Sequence, residues 1–124
     1  RTSDMLKYFQ IKIHNIKLID LMSYNDFLNN QYHSFLIVSD SGTAQEEAAM
    51  FKTPVITPRD YTERPQSMFN NCSFLFKLDD YKKTYKKSLL YLKKIKSNKL
   101  KIKTNWLGDG KTSSKIIKIL KKNL

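Results

Sequence analysis

The chain has 124 residues, which suits one domain and is too short for a two-domain enzyme. Its net charge of +12 suggests a nucleic-acid binder, but residues 1–80 carry 8 basic and 10 acidic side chains (net −2), whereas residues 81–124 carry 15 basic and 1 acidic (net +14). The single cysteine, Cys72, cannot form an internal disulfide, and no signal peptide or apolar run of membrane-spanning length is visible, so we expect a cytoplasmic protein without membrane contact.

Short apolar runs alternate with amphipathic stretches along the chain, which is typical of α/β proteins. In chain order, we expect a helix, a strand and a helix over residues 4–9, 16–19 and 23–32, with Ser23 as the N-cap of the second helix. Strands are predicted over 35–38, 54–57 and 73–76, and helices after residue 41, from Pro65, over 79–94 and over 112–123. These elements predict one domain, residues 1–124, with a parallel sheet of about four strands and helices on both faces. The first residues resemble a helix start with no preceding strand, so we expect a piece of a longer protein.

The segment after the second predicted strand has the composition of an anion site. The strand over 35–38 runs into Ser39-Asp40-Ser41-Gly42-Thr43, and a helix follows. Helix-start N–H groups and the helix dipole attract anions, and a glycine lets the backbone approach one closely. Ser41, Gly42 and Thr43 could therefore hold a phosphate, although such residues at a helix start also serve as ordinary caps.

Two acidic residues follow in the same predicted helix. Either Glu46 or Glu47 could accept hydrogen bonds from the hydroxyls of a ribose, as acidic residues do in dinucleotide sites. Adjacent helix positions diverge by about 100°, so we expect one of the pair to face the ligand. The alternative is that both merely complement the helix dipole.

Several motifs together resemble a known family. They are Ser-Asp-Ser-Gly-Thr-Ala-Gln-Glu-Glu-Ala from Ser39, Lys-Thr-Pro-Val from Lys52, Pro-Arg-Asp from Pro58, Thr-Glu-Arg-Pro from Thr62 and Gly-Asp-Gly-Lys from Gly108. In order and spacing, they resemble the C-terminal domain of the non-hydrolysing UDP-N-acetylglucosamine 2-epimerases; Arg1-Thr2 resembles the end of that family's His-Pro-Arg-Thr motif. The resemblance implies a GT-B architecture of two Rossmann-like domains, of which this chain is the second.

The resemblance also implies roles for five residues in nucleotide binding. Phe27 matches the aromatic that stacks on uracil, although its position alone would favour a core helix residue. Ser41 and Gly42 match the diphosphate-binding positions, Glu47 matches the ribose-binding carboxylate, and Arg64 matches an arginine near the nucleotide and the domain cleft.

The family's chemistry, as the resemblance implies it, is anti elimination of UDP followed by re-addition with inversion at C2, without a metal or other cofactor. The catalytic acid, base and histidine lie upstream in the family, and neither His14 nor His33 matches that histidine. We therefore expect no catalytic residue in this chain, binding of UDP or a UDP-sugar, inactivity without the N-terminal domain, and a homodimeric full-length protein. Thr43 stands where many members have a second glycine, so the sequence does not identify the sugar of the substrate.

Three alternatives remain. A hydrolysing UDP-sugar epimerase and a GT-B glycosyltransferase use the same domain, and released free sugar or transfer to an acceptor would identify them. The third is a basic nucleic-acid or membrane-surface module over residues 82–103. Because the excess charge is lysine rather than arginine, a solvated helix surface is the simpler interpretation, and absence of DNA or RNA retention in filter binding would exclude such a module.

Overall fold

Three parallel strands form the centre of the chain, in the order β1-β2-β3. The computed structural model describes residues 2–123, so the predicted motif residue Arg1 lies outside the described part. The strands are β1 (Ile37–Val38), β2 (Val55–Thr57) and β3 (Ser73–Leu75). The helices are α1 (Thr2–Tyr8), α2 (Tyr24–His33), α3 (Gly42–Met50), α4 (Pro65–Phe69), α5 (Tyr81–Lys96) and α6 (Thr112–Asn123), with a 3₁₀ turn at Asn105–Leu107.

The sheet is organised around β2. Val55 pairs with Ile37 of β1 on one side and with Ser73 of β3 on the other, and all residues of β2 are buried. A central parallel strand has neighbours along both edges and is covered on its faces, which is why its sequence is a short unbroken β-forming run. The α/β class and the parallel sheet predicted from the sequence are confirmed.

Local signals predicted the helix starts well. The Ser23 side chain accepts a hydrogen bond of 3.2 Å from the backbone N–H of Asp26, as expected of an N-cap. Pro65 occupies the first turn of α4, where its missing N–H costs nothing. The last helix has the predicted bounds, Thr112–Asn123.

The prediction of a strand over residues 16–19 is wrong. In the described part of the chain this segment forms no ladder with a neighbour, and the sheet has three strands rather than about four. Ile16, Leu18 and Ile19 are each at least 60% exposed. A strand is stabilised by backbone hydrogen bonds to a partner and by burial of one face, and an apolar pattern alone supplies neither.

The core consists mainly of small side chains between α3 and the sheet. Ala48, Ala49, Val55 and Cys72 have no exposed surface, and the free Cys72 lies buried next to β3. Met50, by contrast, is 66% exposed. It follows Ala49 by one position, and the helix turn carries it away from the sheet.

The last helix presents an apolar stripe that the described residues do not cover. The stripe is 52–60% exposed and consists of Ile116, Ile117, Ile119 and Leu120. None of the described helices is both long enough and apolar enough to cross a membrane.

Candidate functional site

The loop between β1 and α3 presents an open helix start. Ser39 is anchored to the sheet because its N–H donates to the Ile56 carbonyl at 3.0 Å, and its hydroxyl accepts from the Ser41 N–H at 3.1 Å. Ser41 is the N-cap of α3, but its side chain makes no capping hydrogen bond within the described chain. The first turn of α3 therefore lacks a side-chain acceptor from its own cap, and its N–H groups are suited to an anion.

Gly42 is not required by the packing of this chain. A side chain added there would have no described atom within 4 Å, and the Gly42 backbone is not among those with positive φ. Neither strain nor crowding thus explains the glycine. The open space beside this backbone is what the close approach of a ligand would need, and that role of Gly42 stays a prediction.

Glu47, one turn further along α3, is held by two donors from α2. The Tyr24 hydroxyl donates to Glu47 Oε1 at 2.7 Å, and Gln31 Nε2 donates to Oε2 at 2.8 Å. The hydrogen bond to Glu47, together with some desolvation and the nearby negative charge, raises the pKa of Tyr24. Its phenol therefore remains a donor at neutral pH.

Glu46 faces a different partner. Its carboxylate pairs with the guanidinium Nε of Arg64, from the loop before α4. The two adjacent glutamates thus diverge, as helix geometry predicted: Glu46 contacts the Arg64 loop and Glu47 contacts α2. Arg64 is also linked to Glu63, whose carboxylate lies 3.9 Å from its Nη1.

A buried glutamine holds the Arg64 loop against α3. Gln45 is 1% exposed, and its Oε1 accepts from the hydroxyls of Thr62 at 3.0 Å and Ser67 at 2.9 Å. The Thr62 hydroxyl in turn accepts from the Arg64 N–H at 3.1 Å. This series of hydrogen bonds, from Gln45 through Thr62 to the Arg64 N–H, therefore fixes the position of the Arg64 backbone.

A cavity of about 390 Å³ lies between α2 and β1. Phe27, 43% exposed, is on its wall with Gln31, while Ser39 and Ala44, which flank the start of α3, also line it. Phe27 is therefore not a core residue but an aromatic surface beside an open cavity. Such a concave, mainly apolar space with a few polar groups suits a flat ring.

Four of the five predicted residues are connected through α3. Ser41 and Gly42 begin it, Glu47 lies along it, and Arg64 is paired to it through Glu46, whereas Phe27 faces the adjoining cavity. A second cavity of similar volume lies between β3 and α5, and its described lining includes none of the five.

Sequence reasoning missed three residues that shape this region: Tyr24, Gln31 and Gln45. Gln45 had a usable signal, since a polar residue beside two alanines of a buried helix face needs partners. Tyr24 and Gln31 had none, because their contacts with Glu47 span 23 and 16 positions of sequence.

Comparison with known proteins gives a consistent result. The family model described as UDP-N-acetylglucosamine 2-epimerase matches residues 1–121. The UDP-N-acetylglucosamine 2-epimerase of Methanocaldococcus jannaschii is 36% identical over 97% of this chain and 32% of its own length. That of Escherichia coli is 32% identical over 90% of this chain and 30% of its own length.

Solved structures agree in fold. The M. jannaschii UDP-GlcNAc 2-epimerase, in complex with UDP-GlcNAc and UDP, has a TM-score of 0.76 and 35% identity, covering 98% of this chain and 33% of that one. The Neisseria meningitidis UDP-GlcNAc 2-epimerase bound to UDP-GlcNAc has a TM-score of 0.64 and 27% identity, with the same coverage. The chain thus spans about a third of the length of the relatives it matches.

Proposed function

The chain belongs to the UDP-N-acetylglucosamine 2-epimerase family, and from that premise we propose that it is the UDP-binding part of a nucleotide-sugar 2-epimerase. The parent enzyme would interconvert UDP-GlcNAc and UDP-ManNAc by eliminating and re-adding UDP. This chain would hold the leaving group, and a further domain would supply the groups that move protons. The full-length enzyme would act as a homodimer.

The arrangement around α3 carries the proposal. A nucleoside diphosphate needs an anion site for its phosphates, an acceptor for its ribose hydroxyls and a surface for its base. The open helix start at Ser41 and Gly42 offers the anion site. The Glu47 carboxylate offers the acceptor for the ribose, and the Phe27 ring offers the surface for the base. Arg64 adds a cation whose position is controlled by Glu46. The same ligand class appears in the M. jannaschii relative, whose structure contains UDP-GlcNAc and UDP.

Calorimetric titration of this chain with UDP, UDP-GlcNAc and dTDP tests the proposal. We expect UDP to bind weakly and Glu47→Ala to abolish that binding, because a ribose that loses its acceptor must leave its hydroxyls unpaired. Asp80→Ala, which removes an exposed carboxylate before α5, serves as the control and should bind UDP as the unsubstituted chain does. Unchanged binding in Glu47→Ala would show that the α3 site has been misinterpreted.

Activity is the second test. We expect no epimerisation by this chain alone, since the proton-transfer residues are proposed to lie in another domain. Robust conversion of UDP-GlcNAc by the isolated chain would contradict this division of roles.

A further inference from the structure

We propose that Tyr24 and Gln31 are positioning residues that hold the Glu47 carboxylate in the orientation that grips both hydroxyls of a ribose. The inference rests on the proposed function, in which Glu47 binds the ribose. It extends that function, because it makes two side chains of α2 responsible for preferring a ribonucleotide over a 2′-deoxyribonucleotide.

The hydrogen-bond geometry of the carboxylate is the first argument. Tyr24 donates to Oε1 and Gln31 donates to Oε2, at 2.7 and 2.8 Å, so each oxygen already accepts one bond from α2. An ionised carboxylate has roughly four acceptor positions, two on each oxygen. One position therefore remains on each oxygen, which matches the two neighbouring hydroxyls of a ribose. A 2′-deoxyribose would leave one of these positions without a donor.

The burial of Gln31 is the second argument. The residue is 3% exposed, and its Oε1 is buried with no hydrogen-bond partner among the described residues. Because a carboxylate only accepts, the amide must turn its NH₂ toward Glu47, and its carbonyl stays unsatisfied. A buried unsatisfied acceptor disfavours the folded state, so packing alone does not explain a glutamine there. Holding Glu47 does.

The backbone of α2 is anchored independently of that amide. The Gln31 carbonyl accepts from the Thr53 hydroxyl at 3.0 Å, which ties the end of α2 to the turn before β2. A side-chain substitution at Gln31 leaves this backbone contact in place. The role of the amide is therefore separable from the position of the helix.

Tyr24 supplies the complementary restraint from the solvent side. Its side chain is 61% exposed, so removing its hydroxyl disturbs no core packing. With both donors present, the carboxylate is held from both oxygens and loses its rotational freedom before the ligand arrives. Preorganisation of this kind increases affinity because less side-chain entropy is lost on binding.

The test compares UDP with 2′-deoxy-UDP by calorimetric titration of the 124-residue chain and its variants. We expect the unsubstituted chain to prefer UDP by about tenfold or more, as a hydrogen bond to a charged group implies. Glu47→Gln should abolish the preference. Tyr24→Phe and Gln31→Met should each reduce it by at least about threefold, in the range of a single mispositioned contact. Tyr32→Phe, the same change on an exposed ring of α2, is the control and should leave the preference unchanged.

The ratio of the two affinities separates the possible outcomes. A general loss of structure would weaken both ligands and leave their ratio intact. If Glu47→Gln abolishes the preference while Tyr24→Phe and Gln31→Met retain it in full, the positioning role is overturned and the proposed function stands. If the unsubstituted chain shows no UDP binding, or Glu47→Gln keeps the preference, both are overturned. If circular dichroism shows that Gln31→Met is not folded, the result for Tyr24→Phe decides the outcome.

Discussion

The guanidinium of Arg64 pairs with Glu46, 18 positions earlier in the chain, and not with the adjacent Glu47. This contact joins the loop before α4 to the helix that begins at the candidate phosphate site. Both side chains are more than a third exposed, so the pair stabilises the fold by no more than about 1 kcal/mol. Its main consequence is that it fixes the orientation of a cation against α3.

Replacing Arg64 should therefore affect ligand binding more than stability. We expect Arg64→Met to lower the affinity for UDP by about tenfold, or about 1.4 kcal/mol, and Glu46→Gln to have a smaller effect in the same direction. Affinity for uridine, which lacks phosphates, should change little in either variant. Calorimetry with both ligands provides the measurement. Lys83→Met controls for the loss of one positive charge, and an equal loss of UDP affinity in that variant would contradict a specific role for Arg64.

Gly42→Ala should separate binding from folding. Alanine is the better helix former and meets no described atom at this position, so stability should stay the same or rise by up to about 1 kcal/mol. The added methyl group occupies the space where a phosphate would approach the backbone, and UDP affinity should fall by about tenfold or more. Thermal unfolding and titration report the two effects.

Gly108→Ala is the matched control: Gly108 has φ +92°, so that variant should lose stability while binding UDP normally. Normal UDP binding by Gly42→Ala would argue against a close phosphate contact.

Gln45→Ala should be strongly destabilising. The substitution removes the acceptor shared by Thr62 and Ser67 and leaves a cavity in a buried position, which together cost about 2–4 kcal/mol. Urea unfolding measures the loss. The same change at Gln66, an exposed position of α4, should stay within about 0.5 kcal/mol. Similar unfolding free energies for the two variants would show that the Gln45 contacts contribute nothing to the fold.

Stability should fall in alkaline solution because of Tyr91. Burial, with a smaller contribution from the negative charge of an ionised Cys72, raises the pKa of this phenol well above its ordinary value of 10.0. The unfolded chain therefore ionises first: the stabilisation is fully present below pH 10.0 and declines above it, by up to about 1.4 kcal/mol per pH unit. Between about pH 8 and about pH 11, the unsubstituted chain should lose more unfolding free energy than Tyr91→Phe.

Urea unfolding at both pH values gives this comparison. Tyr61→Phe, on a ring that is 69% exposed, should behave like the unsubstituted chain. An equal alkaline loss with and without the Tyr91 hydroxyl would mean that a group common to every variant, such as the Cys72 thiol, whose pKa burial also raises, accounts for the whole effect.

The elements that sequence patterns predicted correctly are those with local causes. Ser23 caps α2 through a contact three residues away, and Pro65 begins α4 because its own ring suits that position. The wrong strand over residues 16–19 had an apolar pattern but needed a distant partner, which a pattern does not reveal. The roles of Phe27, Ser41, Gly42, Glu47 and Arg64 came from resemblance, and their ligand contacts stay predictions.

By itself, the sequence determined the α/β class, the order of the helices and strands from α2 onward and the position of the helix start after β1, because caps, glycine and short apolar runs act within a few residues. It also required that Glu46 and Glu47 point apart. Only the tertiary structure decided which glutamate faces which partner. That choice depends on how α2 and the Arg64 loop pack against α3, and packing joins Tyr24 and Gln31 to Glu47 across a separation that no local signal spans.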